Sequence, residues 1–167
     1  IFDFGLRPRR PLEEDIAEVA GYQPDLIGFT VMTGGYHNVE QSLAPMKAVM
    51  PSVPIVLGGP HPTMFPEAVA ATPGVDFVVY GEGEETLMEL VAALQSGASD
   101  FSGISGLAYA RDGKAVRTPE RPLIHDLDAL PMPARHLLEL DKYPLVAPNG
   151  EKMLTVLSSR GCPFNCS

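Results

Sequence analysis

Two groups of residues have the types and spacing for chemistry. Cys162 and Cys166, the sole cysteines of the chain, are separated by Pro163-Phe164-Asn165 and directly follow Arg160-Gly161. Thiolates at such spacing in a loop can ligate a common metal centre, although two cysteines do not complete a site and a lone Cys-x-x-x-Cys pair is a weak signal. The second group is a set of three glycine-bearing segments, Thr30 to Tyr36, Leu57 to Thr63 and Tyr80 to Thr86. Gly34, Gly35, Gly58, Gly59, Gly81 and Gly83 allow a backbone to approach a bulky ligand, and Thr30, Thr33 and Thr63 offer hydroxyls. One glycine at a strand end more often only closes a turn; six at corresponding strand ends point to a ligand.

The composition of these loops restricts what the ligand is. Neither Gly-x-Gly-x-x-Gly nor a P-loop occurs, and Gly81-Glu82-Gly83-Glu84-Glu85 sets carboxylates where a helix N-terminus would otherwise attract an anion. A neutral ligand edge rich in amides fits better than a dinucleotide. His37 and His61 fall in or beside two of the loops, where a lone histidine more often packs or hydrogen-bonds than binds metal; His125 and His136 sit in a proline-rich linker. No Ser/His/Asp or Cys/His set follows from spacing, and Glu13-Glu14 reads as a solvated helix face.

The elements that must carry these loops alternate short apolar strands with amphipathic helices. Strands are expected at Ile1 to Phe4, Leu26 to Val31, Pro54 to Leu57 and Val75 to Tyr80. Helices are expected at Pro11 to Ala20, at Asn38 to Met50 with Val39, Leu43, Met46, Val49 and Met50 inward, at Pro66 to Ala71, and at Glu84 to Leu94 with Leu87, Leu90, Val91 and Leu94 on one stripe. This alternation produces a parallel sheet covered on both faces, whose ligands sit at the C-terminal strand edge. The Gly/Ser/Asp-rich stretch Ser96 to Ser102 marks the edge of that unit, and Leu107 to Arg117 reads as a β-hairpin about Asp112-Gly113. Thr118 to Tyr143 is a proline-punctuated linker with a short helix expected at Ala134 to Leu140, and Met153 to Ser158 is a further expected strand.

Bulk properties exclude several classes. The net charge of −9 opposes binding to a phosphate backbone, so nucleic acid is not an expected partner, and no apolar run reaches the length of a membrane span. Arg7, Arg9 and Arg10 among prolines read as a solvated loop. Two cysteines at one end are not the disulfide framework of a secreted domain, so a reducing cytoplasmic location is expected. Ile1 is not an initiator Met, and the N-terminus has no signal-peptide pattern, which reads as a fragment that begins within its fold.

Taken together, Pro24-Asp25-Leu26-Ile27-Gly28-Phe29-Thr30, Val56-Leu57-Gly58-Gly59-Pro60-His61-Pro62-Thr63 and Asp76-Phe77-Val78-Val79-Tyr80-Gly81-Glu82-Gly83-Glu84 resemble, in type and order, the cobalamin-binding domain of cobalamin-dependent radical S-adenosylmethionine proteins. The linker Thr118 to Pro133 is similar to that family's connection to its barrel, and Arg160 to Ser167 to the start of its Cys-x-x-x-Cys-x-x-Cys loop. The resemblance implies an α/β flavodoxin-like (Rossmann-like) sheet with helices on both faces, followed by a hairpin and a proline-rich linker. It implies a cobalamin-binding domain at 1–98, hairpin and linker at 99–150, and the beginning of a radical barrel at 151–167.

By the same resemblance Thr30, Thr33, Gly34, Gly58, Gly59, Pro60, His61, Gly81, Glu82 and Gly83 would hold cobalamin. Cys162 and Cys166 would be two of three ligands of a [4Fe–4S] cluster carrying S-adenosylmethionine in the parent enzyme, a methyltransferase or a relative doing other radical chemistry, with the fragment itself not catalytic. The family's first strand, and the loop in which some cobalamin proteins carry a cobalt-ligating histidine, would precede Ile1. Without that strand a 2-1-3-4-5 sheet is open at a central position, and the gap is expected to be filled by Met153 to Ser158 from the same chain or, in a homodimer, from a neighbour. Two alternatives stay open: a non-catalytic cobalamin-binding or regulatory domain, and a flavodoxin-like domain binding flavin or no cofactor.

Overall fold

The computed structural model describes residues 1–2, 10–143, 146, 149–153, 156–157 and 159–161. Residues 10–123 form one compact unit, and the described residues among 1–9 and 124–167 belong to a second. In the first unit, helix α1 (Leu12–Gly21) is followed by β1 (Ile27–Thr30), a 3-10 turn at Thr33–Gly35, α2 (Tyr36–Val49), β2 (Ile55–Gly58), α3 (Pro60–Met64), α4 (Pro66–Ala70), β3 (Phe77–Val79), α5 (Glu84–Gln95), β4 (Leu107–Arg111) and β5 (Lys114–Arg117).

The strands form one sheet in sequence order. β1 and β2 are parallel, with Ile27 opposite Ile55 and Thr30 opposite Gly58, and β2 and β3 are parallel with Val56 opposite Phe77. All three therefore end at one edge of the sheet. The hairpin forms as expected, and it continues the sheet: β4 runs antiparallel to β3 with Phe77 opposite Tyr109, and β5 antiparallel to β4. Its turn uses left-handed φ at Asp112 (52°) and Gly113 (74°), the type I′ geometry whose twist matches that of paired strands.

Strand alternation divides the core. Val56, Phe77, Val79, Leu107 and Tyr109 gather on one face with Leu90 of α5 and Ile104. Ile55, Leu57 and Val78 alternate with these and are also buried, while α4 packs across β3, β4 and β5. Helix registers differ from expectation at two leucine and valine positions. Leu43, Met46 and Met50 take the inner stripe of α2 and its cap, so Val49, one position off that spacing, is 56% exposed. In α5 the inner positions are Thr86 and Leu90, four apart and fully buried, which turns Leu87 outward.

Helix α3 is not among the expected elements, which pass from the Gly58-Gly59-Pro60 strand end directly to a helix at Pro66. Pro60 and Pro62 lie in its first turn, where an amide N–H has no partner within the helix and proline is tolerated. In the second unit the helix expected at 134–140 is replaced by 3-10 turns at Arg135–Leu137 and Leu140–Lys142, broken by extended Leu138. Leu137 and Leu140 are exposed, and so short a segment with no buried face does not sustain a helix. A further 3-10 turn at Leu127–Ala129 is capped by Asp126, whose carboxylate accepts from the Asp128 N–H at 3.1 Å.

Val146 and Lys152 form an isolated antiparallel bridge, and Met153, Val156 and Leu157 lie in no strand; the rest of the expected 153–158 strand lies outside the described residues. Most of the strand expected at Ile1 to Phe4, and both cysteines, also lie outside them. Among the described residues no strand pairs with the outer edge of β1. No helix among them is long and apolar enough to cross a membrane.

Candidate functional site

The parallel strands deliver their three loops to one edge, where α3 ties them together. The His61 N–H donates to Val31 O at 3.1 Å, reaching the loop after β1, and the His61 Nδ1 lies 3.4 Å from Thr33 Oγ1. Two residues on, Thr63 Oγ1 accepts from the Gly81 N–H at 3.1 Å, reaching the loop after β3. A single turn of helix therefore fixes the other two loops relative to the end of β2. Beside it, the His61 ring packs against Tyr36 at 4.2 Å and Phe65 at 5.2 Å between centroids.

The glycines divide by what surrounds them. Gly59 has φ 98° and ψ −170°, and an added Cβ would sit 3.0 Å from Val31 N and 3.3 Å from Thr30 Cγ2. Close approach of the β1 and β2 ends thus requires glycine there. At Gly83 an added Cβ would meet Val79 Cγ1 at 3.0 Å, so this residue serves packing of the loop onto its own strand, and at Gly58 the contacts would be ordinary ones. Around Gly34, Gly35 and Gly81 nothing lies within 4 Å of an added Cβ. At those three the surface is backbone without neighbouring side-chain bulk.

The expected residues are therefore brought to one edge of one unit: Thr30, Thr33, Gly34, Gly58, Gly59, Pro60, His61, Gly81, Glu82 and Gly83 all lie on the three loops or the strand ends that feed them. Thr30 is exposed, and Glu82 is half-buried. Exposed apolar side chains rim the same edge, with Met32 62%, Met64 68% and Phe65 46% exposed. Cys162 and Cys166 lie outside the described residues, and among the described residues no group of three or more His, Cys, Asp or Glu could hold a metal ion.

Behind the β3 loop lies a polar network that spacing did not reveal. Thr86 Oγ1 donates to Ser105 O at 2.8 Å and accepts from Arg121 Nε at 2.9 Å. Arg121 also pairs with Glu85 at 2.9 Å and with Glu89, and these hydrogen bonds, Glu89's first, hold its guanidinium above the ordinary arginine pKa. The carboxylate of Glu85 is thus committed to an internal pair, while Glu84 and Glu85 in the first turn of α5 suit its dipole. Tyr80 donates to Thr118 O at 2.5 Å, and the Arg117 guanidinium lies 4.6 Å from the Tyr80 ring centroid. No pattern in the sequence marks these residues, since their partners lie 19 to 38 positions apart.

A concavity of about 320 Å3 lies at the opposite end of the sheet, lined by Lys47, Pro54, Asp76, Phe101, Tyr109 and Arg111 among others. Its charges are already matched: Lys47 Nζ donates to Asp76 at 2.6 Å and to Val53 O at 2.9 Å, and Arg111 lies 3.4 Å from Asp100.

Comparison with known proteins covers the segment that contains these loops. Residues 3–91 match the model of the B12 binding domain. The chain is 41% identical over 154 residues to an uncharacterized methyltransferase of Pyrococcus horikoshii, covering 91% of this chain and 33% of that protein. It is 38% identical over 160 residues to the anaerobic magnesium-protoporphyrin IX monomethyl ester cyclase of Rubrivivax gelatinosus, covering 93% of this chain and 28% of that one. Among solved structures, the radical S-adenosylmethionine methyltransferase TsrM from Kitasatospora setae, with tryptophan substrate and an S-adenosylmethionine analogue bound, superposes with a TM-score of 0.60. That likeness is at 27% identity, over 67% of this chain and 22% of TsrM. The chain thus spans about a third or less of the proteins it matches.

Proposed function

The chain belongs to the B12-binding domain family, and from that premise we propose that it is the cobalamin-holding module of a longer radical S-adenosylmethionine enzyme. The observation that carries this reading is the bracket made by α3, which joins Val31 and Thr33 of the loop after β1 to Gly81 of the loop after β3 and leaves Gly34, Gly35 and Gly81 without side-chain bulk. A corrin ring is rimmed by amides and needs backbone and hydroxyl partners without side-chain bulk. The loops offer that chemistry through Thr30, Thr33, Gly34, Gly58, Gly59, Pro60, His61, Gly81, Glu82 and Gly83, so the residues present fit the group.

When bound, the cofactor supplies a methyl group for transfer to an unreactive centre, or in some relatives serves other radical chemistry. The work of this chain is to seat it. The bare glycine backbone sets how closely the cofactor lies, the threonine hydroxyls exchange hydrogen bonds with its amides, and the apolar rim of Met32, Met64 and Phe65 excludes water once covered. In this reading residues 1–98 form the cofactor module, 99–150 the hairpin and linker, and 151–167 the beginning of a barrel in which Cys162 and Cys166, with a third cysteine, hold a [4Fe–4S] cluster that binds S-adenosylmethionine. Methyl transfer is the leading activity of the parent, and ring formation as named for the Rubrivivax gelatinosus relative is the second.

The test is direct. Purified chain incubated with hydroxocobalamin and then desalted should keep the corrin bands in its visible spectrum at close to one cofactor per chain. Loss of all colour on desalting, with flavin mononucleotide retained in a parallel sample, would replace cobalamin by flavin.

A further inference from the structure

Among the described residues, His61 is the histidine whose side chain bridges two of the crevice loops. Its backbone N–H reaches Val31 O at 3.1 Å, its Nδ1 faces Thr33 Oγ1 at 3.4 Å, and its ring stacks on Tyr36 at 4.2 Å with a 31° tilt. Phe65 covers it at 5.2 Å, and Tyr36 is itself anchored by a 2.7 Å hydrogen bond to Thr72 Oγ1. The 3-10 turn Thr33–Gly35 carries two bare glycines and closes on itself through Gly35 N–H to Met32 O at 2.9 Å, a local bond that does nothing to place the turn over α3. His37 makes only neighbouring contacts, with Gln41 at 2.9 Å and Glu40 at 3.7 Å on the outer face of α2.

We propose that His61 is a positioning residue: its ring, held between Tyr36 and Phe65, latches the Thr33–Gly35 turn to α3 and thereby sets the opening of the cofactor crevice. It acts on the cofactor through the loop and is not a ligand to cobalt. This inference rests on the cobalamin reading only for what enters the crevice. The latch itself is a property of the chain without cofactor.

The experiment is therefore run in two arms on the whole chain. In the first, amide hydrogen exchange is measured without cofactor. His61→Ala should speed exchange at residues 31–36 by about tenfold while leaving β4 and β5 unchanged, as expected for a local opening. His61→Phe, which keeps the stacked ring, should restore protection, and His37→Ala should change nothing. In the second, hydroxocobalamin titration should show affinity about tenfold weaker for His61→Ala, a loss of roughly one ring stack and hydrogen bond, and most of that loss should be recovered in His61→Phe. The electron paramagnetic resonance spectrum of the reduced cob(II)alamin complex should be the same for wild type and His61→Phe.

Unchanged exchange at residues 31–36 in His61→Ala would overturn the latch. So would a nitrogen splitting in the wild-type spectrum that vanishes in His61→Phe, because His61 would then be a cobalt ligand. If wild type binds no hydroxocobalamin, the cofactor reading fails and the exchange arm still decides the latch.

Discussion

The two ends of the β3–α5 region are built by opposite means. Where β3 leads into the crevice, contacts run through the Gly81 amide and the Thr63 hydroxyl, and a Cβ at Gly81 would meet nothing within 4 Å. Across the sheet toward β4 and β5, the same strand is held by side chains. Tyr80 bonds Thr118 O, and Thr118 Oγ1 donates to Leu107 O and accepts from Leu107 N, both at 2.9 Å. Arg121 joins Thr86, Glu85 and Glu89, and Leu90 fills the core behind them. On the proposed reading, the crevice admits a large cofactor and keeps side-chain bulk away from Gly34, Gly35 and Gly81. The hairpin side has no such duty and satisfies its own polar groups. Damage on the hairpin side should therefore appear as lost stability, and damage in the crevice as lost cofactor.

The largest expected effect tests the hairpin side. Leu90 is fully buried among Val56, Phe77, Val79, Leu107 and Tyr109, so Leu90→Ala should cost about 3–4 kcal/mol in urea unfolding followed by circular dichroism. Chain that remains folded should still take up hydroxocobalamin as wild type does. Equal loss of stability and of cofactor affinity in the folded fraction would mean that the two regions are mechanically one.

Gly59→Ala tests the border between them and should cost somewhat less. Its backbone at φ 98°, ψ −170° belongs to a region populated almost only by glycine, and leaving glycine there costs about 2–3 kcal/mol. The new methyl also meets Val31 N at 3.0 Å, so the β1 loop must move and hydroxocobalamin retention should fall with stability. Gly34→Ala, where a Cβ meets nothing, is the control that should leave the unfolding midpoint in place.

How much of this was legible in the sequence follows the same division. The parallel strands, the hairpin at Asp112-Gly113 and all three crevice loops could be read locally, because strand alternation and glycine at strand ends are short-range signals. The inner stripes of α2 and α5 were displaced by one position at Val49 and Leu87, since a run of adjacent apolar residues does not say which of them faces the sheet. Helix α3, at five residues, is too short to show a helical period, although it joins the crevice loops. Thr86, Thr118 and Arg121 were invisible for a different reason: each acts through a partner brought near only by the sheet, 11 to 36 positions away. The hairpin was legible as a hairpin but not as the continuation of the sheet, because pairing of β4 with β3 is decided by the shared Phe77, Phe101 and Tyr109 cluster.

Thr118→Val has the smallest expected effect and isolates a single hydroxyl. The substitution keeps the shape of the side chain, which is 6% exposed, so packing changes little. It removes both an acceptor for the Leu107 N–H and a donor to Leu107 O at the seam between β4 and β5. Buried groups stripped of a partner cost more than the bond itself is worth, and the net loss should be about 1–2 kcal/mol, read from the urea midpoint at constant slope. Because the hairpin side is closed on itself, the bare loops around Gly34 and Gly81 should not register the change, and hydroxocobalamin affinity should stay within about twofold of wild type. A drop in affinity matching that of His61→Ala would show that the seam reaches the crevice through Tyr80, the residue that follows β3 and bonds Thr118 O.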